Sequence, residues 1–121
     1  MKVTVLSDNI PDPRGFLTTE HGLSLWIEFD GKKILYDTGQ GETFSQNAAK
    51  LSVDISEADF AVISHGHYDH TGGLSYFLSN NARAEVFLHK KAWDNHLSLN
   101  TGRMRQIGMD IELRRKYSDR F

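Results

Sequence analysis

Four side chains able to hold a metal ion fall within six residues. They are His65, His67, Asp69 and His70, in the run Ser64-His65-Gly66-His67-Tyr68-Asp69-His70-Thr71-Gly72-Gly73. Imidazole and carboxylate donors without thiolate suit zinc, manganese or iron. His65 and His67 are two apart, so on an extended backbone they face the same way. Their Cα atoms are then roughly 6.6 Å apart, close enough for two imidazoles to converge on one ion. Gly66 between them removes a side chain that would crowd the approach. Asp69 and His70 are adjacent, and a turn there aims both at a second ion beside the first. Independent placement gives His-x-His-x-Asp-His in a chain of this composition on the order of one time in a thousand. The competing reading is a solvated polar loop whose clustered histidines collect adventitious metal.

The rest of the composition narrows the choices. The chain has 121 residues and suits a single domain spanning 1–121. With 39% hydrophobic and 25% charged residues it can bury a core. Cysteine is absent, which excludes disulfides and thiolate metal sites. The formal net charge of −2 gives no footprint for nucleic acid, although the last twenty residues are mildly basic. No charged segment followed by an apolar run opens the chain, and no stretch approaches the roughly 20 apolar residues of a bilayer span. The expected setting is the cytoplasm, with a small-molecule substrate and neither nucleic acid nor membrane as partner.

The ligand run needs elements to position it. Lys2 to Leu6 reads as a strand, and Ser7 to Thr19, with its prolines, as a loop. Leu23 to Phe29 alternates Leu23, Leu25, Ile27 and Phe29 against Ser24, Trp26 and Glu28, which predicts a strand with the first set buried. Asp30-Gly31 then turns the chain into Lys33 to Asp37, completing a β-hairpin. A helix over Glu42 to Leu51 follows. Phe60 to Ser64 is a short apolar run typical of a strand buried on both faces. It delivers His65 to Gly73 to a sheet edge, where functional loops gather. Leu74 to Leu78 reads as a helix, Glu85 to His89 as a strand and Lys90 to Leu97 as a helix. Ile111 to Leu113 begins a final strand. This order predicts an α/β fold, a mixed sheet with helices on at least one face.

The run His65-Gly66-His67-Tyr68-Asp69-His70 with Gly72-Gly73 resembles the signature of the metallo-β-lactamase-fold hydrolases. Asp37-Thr38-Gly39 at the end of a hairpin strand resembles that superfamily's first motif. Asp8-Asn9, Glu20-His21-Gly22-Leu23-Ser24 and Asp37-Thr38-Gly39-Gln40 add a likeness to one subgroup. It includes ribofuranosyl-aminobenzene phosphate synthases of pterin-cofactor synthesis and many metal-dependent hydrolases. The resemblance runs from about Val3 to His89. It implies a site for up to two divalent ions, zinc in the first instance, with manganese or iron as alternatives. His65 and His67 would hold the first ion, and Asp69 and His70 the second, with Asp69 also catalytic. Asp37 would be a supporting carboxylate that steadies the ligand loop, and Asp8, Asn9 and His21 would lie near the site mouth.

The family fold is a longer αββα sandwich whose second half supplies another His to the first ion, a bridging Asp, and a His to the second. Asp94, His96 and Asp110 follow the motif too soon to match these. The chain therefore reads as the N-terminal half of that fold, an incomplete domain completed by a C-terminal half or, in a homodimer, by a second copy. The expected function is metal-assisted hydrolysis of an ester or phosphoester, weak in this chain alone. The alternative is a non-catalytic metal-binding or assembly module. His89 and His96 read as surface or packing groups, Trp26 and Trp93 as core or half-buried residues, and Arg114-Arg115-Lys116 as a solvated segment. A half-sandwich also predicts an apolar sheet face in need of a cover.

Overall fold

Five strands form one mixed sheet in the order β1-β2-β3-β4-β5 in a computed structural model that describes residues 1–121. They are β1 (Lys2–Ser7), β2 (Ser24–Phe29), β3 (Lys32–Tyr36), β4 (Phe60–Ile63) and β5 (Glu85–Leu88). The first three pair antiparallel and the last three parallel. The β2–β3 hairpin closes through Asp30 and Gly31, both at positive φ (48° and 74°), as a two-residue turn of matching twist requires. The parallel pairs need crossovers. Helix α1 (Thr43–Lys50) lies in the β3-to-β4 connection. Helices α2 (Tyr68–Thr71) and α3 (Leu74–Asn80) lie in the β4-to-β5 connection.

The core sits on one face of this sheet. Leu6, Trp26, Leu35, Ala61, Ile63 and Val86 point to it, and Phe44, Ala48, Leu74, Phe77 and Leu78 of α1 and α3 cover them. The mixed sheet with helices on one face thus matches the expectation, but the buried face of β2 is the opposite of the expected one. Trp26 is 3% exposed and Ser24 fully buried, whereas Leu25 and Ile27 are half-buried and Phe29 is exposed. Both faces of this strand are apolar, and the helices fell on the Trp26 side. Cross-strand register places Val3 beside Ile27, Val5 beside Leu25, Ile27 beside Ile34, Ile34 beside Phe60 and Val62 beside Phe87. These residues form a continuous apolar face with no covering layer. Val3, Val5 and Phe87 are about half exposed (48%, 45% and 53%). The strand Phe60–Ile63 is accordingly buried on its Ala61 and Ile63 side only.

The chain after β5 departs from the sequence expectation. Lys90–Trp93 is a single 3-10 turn rather than a helix running to Leu97. Leu97–Asn100 (β6) and Arg103–Gln106 (β7) then form a separate two-stranded hairpin, closed by Thr101 and Gly102 at φ 53° and 73°. Ile111 to Leu113 starts no strand, because Glu112–Lys116 is a short helix (α4) that buries Leu113. No helix is long and apolar enough to cross a membrane.

Candidate metal centre

The ligand run leaves the C-terminal end of β4 beside the end of β3, and Asp37 joins the two. Asp37 follows β3 at φ 54°, a left-handed conformation that Asp adopts more readily than most residues. Its carboxylate is completely buried. Oδ1 accepts the Ser64 amide at 2.8 Å, and Oδ2 accepts the Ser64 hydroxyl at 2.7 Å. Oδ2 also meets His70 Nδ1 at 2.8 Å. A carboxylate accepts only, so His70 carries its proton on Nδ1 and its lone pair on Nε2. The relay extends one residue further. The Ser64 hydroxyl gives its proton to Asp37, so its contact with His65 Nδ1 at 2.9 Å must be an acceptance from the ring. His65 therefore also presents an unprotonated Nε2. One buried carboxylate sets the tautomer of both rings, as carboxylates behind metal-binding histidines do.

The four expected ligands are gathered together. The His65 ring centroid lies 4.5 Å from that of His67 and 4.2 Å from that of His70. Burial holds the His65 imidazole below the usual histidine range, and the neighbouring His70 and His67 rings add to that effect. Asp69 lies in the first turn of α2 with a largely buried side chain; Oδ2 lies 3.2 Å from His21 Nε2 and 3.5 Å from His70 Nε2. Of the expected mouth residues, His21 and Asn9 reach the site as a pair. The Gly22 amide donates to Asn9 Oδ1 at 2.8 Å, which fixes the amide so that Nδ2 donates to His21 Nδ1 at 2.9 Å. His21 thus keeps its ring proton on Nε2, on the side of Asp69. Asp8 is not brought in. It accepts the Ile10 amide and lines a separate cleft with Pro11 and Pro13.

His96, read as a surface or packing group, joins the cluster instead. Its ring lies 5.1 Å from His67, edge to face, and Nε2 is buried without any hydrogen-bond partner. Gly66 makes room for it. A Cβ there would strike the Ala92 carbonyl and come within 2.8 Å of His96 Nε2. The signal for this neighbour is non-local. The Ile107 amide bonds the His96 carbonyl at 2.8 Å, and the Tyr68 amide bonds the Ile107 carbonyl at 2.9 Å, stitching the β6–β7 segment to the ligand loop.

Two imidazoles sharing a tetrahedral ion have ring centroids about 5 Å apart, given metal–nitrogen bonds near 2.0–2.1 Å. The observed spacings of 4.2–5.1 Å are of that size. Yet no three His, Asp or Glu side chains close on one point with the geometry of a metal site. Asp69 Oδ2 faces His21 Nε2 at 3.2 Å instead. The donor set, the fixed tautomers and the orphaned His96 nitrogen fit a divalent cation. They supply donors in pairs rather than a complete cage.

A profile of the metallo-beta-lactamase superfamily matches residues 17–107. The chain belongs to this superfamily. Among its relatives, protein MJ0448 of Methanocaldococcus jannaschii is 34% identical over 113 residues, covering 93% of this chain and 42% of the relative. The 7,8-dihydropterin-6-methyl-4-(beta-D-ribofuranosyl)-aminobenzene-5'-phosphate synthase of the same organism is 30% identical over 95 residues, covering 74% and 32%. The crystal structure of Tm1679, a metal-dependent hydrolase of the beta-lactamase superfamily, superposes with a TM-score of 0.70 at 33% identity, covering 91% of this chain and 37% of that one. The chain thus spans less than half the length of each of these three proteins.

Proposed function

We propose that this chain carries the amino-terminal half of a metal-dependent hydrolase site acting on an ester or phosphoester. The observation that carries the reading is the Asp37 relay, which leaves Nε2 of both His65 and His70 free to bind a cation. In this reading His65 and His67 hold one divalent ion, zinc, manganese or iron, and Asp69 and His70 hold a second. His96 Nε2 is a further nitrogen beside the first. When bound, such an ion polarises the scissile group and supplies a nucleophile from water at neutral pH. Asp69 is the proton-accepting residue of the site. His21 and His70 both approach its Oδ2, leaving Oδ1 without a partner in the chain. His21 holds that carboxylate in place, and Asn9 holds His21.

Two ligands per ion are fewer than the three plus water of a typical catalytic zinc site. Completion from outside this chain is part of the proposal. The open face of Val3, Val5, Leu25, Ile27, Phe60 and Phe87 supports it, as do the longer relatives. The cover is a carboxyl-terminal half, or in its absence a second copy. The cytoplasm is the proposed setting.

The test loads the chain with zinc or manganese and follows bis(p-nitrophenyl) phosphate and p-nitrophenyl acetate. The expected result is metal that is lost on gel filtration, with slow turnover in excess metal that disappears in Asp69→Ala. Metal-dependent turnover unchanged in Asp69→Ala and in His65→Ala refutes the site. Stoichiometric metal retention with fast turnover refutes the incomplete-site part.

A further inference from the structure

The cleft in front of His67 and Asp69 has a second wall that the hydrolytic reading leaves unused. It is an open space of about 660 Å³ between the ligand loop with His21 on one side and the β6–β7 hairpin on the other. Strand register pairs Ser98 with Arg105 and Asn100 with Arg103. Alternation along a strand therefore puts these four polar side chains on one face. All four line the cleft. The opposite face carries Leu97, Leu99 and Met104, each more than half exposed. The arginine-bearing face of the hairpin is turned to the histidines, and Met104 also borders the cleft.

Neither Arg103 nor Arg105 has a carboxylate partner; the arginines in ion pairs are Arg14, Arg83 and Arg115. The Arg105 guanidinium lies 5.5 Å from the centre of the Tyr68 ring, which holds its stem against the ligand loop. The His67–Gly108 bridge and the Tyr68–Ile107 hydrogen bond fix the hairpin beside the metal-binding residues. Two residues apart on one strand, the arginines are about 6.8 Å from each other at Cα, a span that lets both forks meet one anion. Guanidinium is the side chain best matched to phosphoryl oxygens, and the Ser98 hydroxyl and Asn100 amide add donors. The chain is net acidic, so this positive wall is local.

We propose that Arg103 and Arg105 are the anion-recognition residues of this cleft, and that they take the phosphoryl group of a small phosphate ester lying across the metal-binding loop. The position of the cleft as a substrate site rests on the hydrolytic reading. The presence of the anion site does not.

The test is a titration of the 121-residue chain with phenyl phosphate in EDTA, read by 15N–1H correlation spectra of backbone amides and arginine Nε–H groups. The expected shifts fall on Arg103, Arg105, Ser98 and Tyr68. The apparent Kd rises at least tenfold in Arg103→Gln/Arg105→Gln and stays within twofold in Arg114→Gln/Arg115→Gln, with native dispersion in both. Shifts centred on Arg114 to Lys116, or an unchanged Kd in Arg103→Gln/Arg105→Gln, overturn the proposal. Phenylacetate binding as tightly as phenyl phosphate overturns the phosphoryl assignment. A hexauridylate binding more than a hundredfold tighter than phenyl phosphate replaces the small ester with an RNA backbone and overturns it too. Turnover of the metal-loaded chain is measured separately. Anion binding without turnover sinks the hydrolytic reading alone. Turnover of bis(p-nitrophenyl) phosphate with an unaltered KM in Arg103→Gln/Arg105→Gln sinks this inference alone.

Discussion

Replacing Asp37 by asparagine changes one acceptor oxygen into an amide donor and leaves the shape intact. Asn also tolerates the left-handed backbone at φ 54°, so the substitution isolates the hydrogen-bond relay from backbone strain. The carboxylate accepts the Ser64 amide, the Ser64 hydroxyl and His70 Nδ1. With Oδ1 kept on the Ser64 amide, the new NH2 faces the Ser64 hydroxyl and the His70 ring. The hydroxyl must then accept, and its own proton turns to His65 Nδ1. Both rings move their proton to Nε2, the nitrogen that faces the site. Removing such a supporting partner lowers metal affinity about 10- to 100-fold, or roughly 1.4 to 2.8 kcal/mol. Losing charge-assisted hydrogen bonds in a buried place costs a further 1.5 to 3 kcal/mol or so of stability each, which the retained amide contact limits. Competition against a chromophoric chelator reads the affinity. Long-range 15N–1H spectra of the histidine rings read the tautomers without metal. Wild-type His65 and His70 should show protonated Nδ1, and Asp37→Asn should show protonated Nε2. Wild-type rings already protonated on Nε2, or zinc affinity unchanged in the variant, would refute the reasoning.

The orphaned nitrogen of His96 predicts effects of opposite sign in one variant. His96→Leu should raise the stability of the metal-free chain by up to about 1 kcal/mol, because an unsatisfied buried group is removed. The same variant should lose several-fold in zinc affinity; urea unfolding in EDTA and in zinc measures both. Asp54 has its carboxyl held below the usual range by the Ser56 hydroxyl and amide, and Asp12 by the Arg14 amide. A depressed carboxyl stabilises the fold above its unfolded pKa of about 3.9, and that contribution is lost as pH falls through the lower folded value. Thermal unfolding between about pH 6 and pH 2.5 should show a shallower acid decline in Asp54→Asn than in the wild type. Phe87, about half exposed on the open sheet face, should drive association or dye binding. Phe87→Thr should reduce ANS fluorescence and shift sedimentation toward monomer, whereas an unchanged profile argues against that face as the sticky surface.

What could be read from the residues was local. His65, His67, Asp69 and His70 sit in one short run, so their spacing announced the chemistry before any fold was known. Asp37 was legible as a strand-end carboxylate, but its relay through Ser64 to His65 depends on β3 lying beside β4. In β2 both Trp26 and Leu25 are apolar, so the alternation marks two candidate buried faces. Period two separates the faces of a strand and does not say which one the helices will cover. The stretch Leu97 to Gln106 carried a turn signal in Thr101-Gly102 and an alternation of Leu97 and Leu99 against Ser98 and Asn100. The helix expected over Lys90 to Leu97 takes only the first of these residues, and four alternating positions are too short a pattern to announce a strand by themselves. The places of His96, Arg103 and Arg105 all depend on that hairpin. His96 reaches the histidine cluster, and Arg103 and Arg105 the cleft, through pairing between segments about forty positions apart, at His67–Gly108 and Tyr68–Ile107.

The join between Asp37 and Ser64 ties cation uptake to the alignment of two neighbouring strands. β3 and β4 pair Ile34 with Phe60, Leu35 with Ala61 and Tyr36 with Val62. Sliding one strand by a single position would turn Ser64 to the far side of the sheet and part it from the carboxylate. Misaligned molecules would keep their histidines yet present them with the wrong nitrogen bare. Zinc titration of a refolded sample therefore gauges how many molecules have zipped those two strands correctly, a defect that overall secondary-structure content would not reveal.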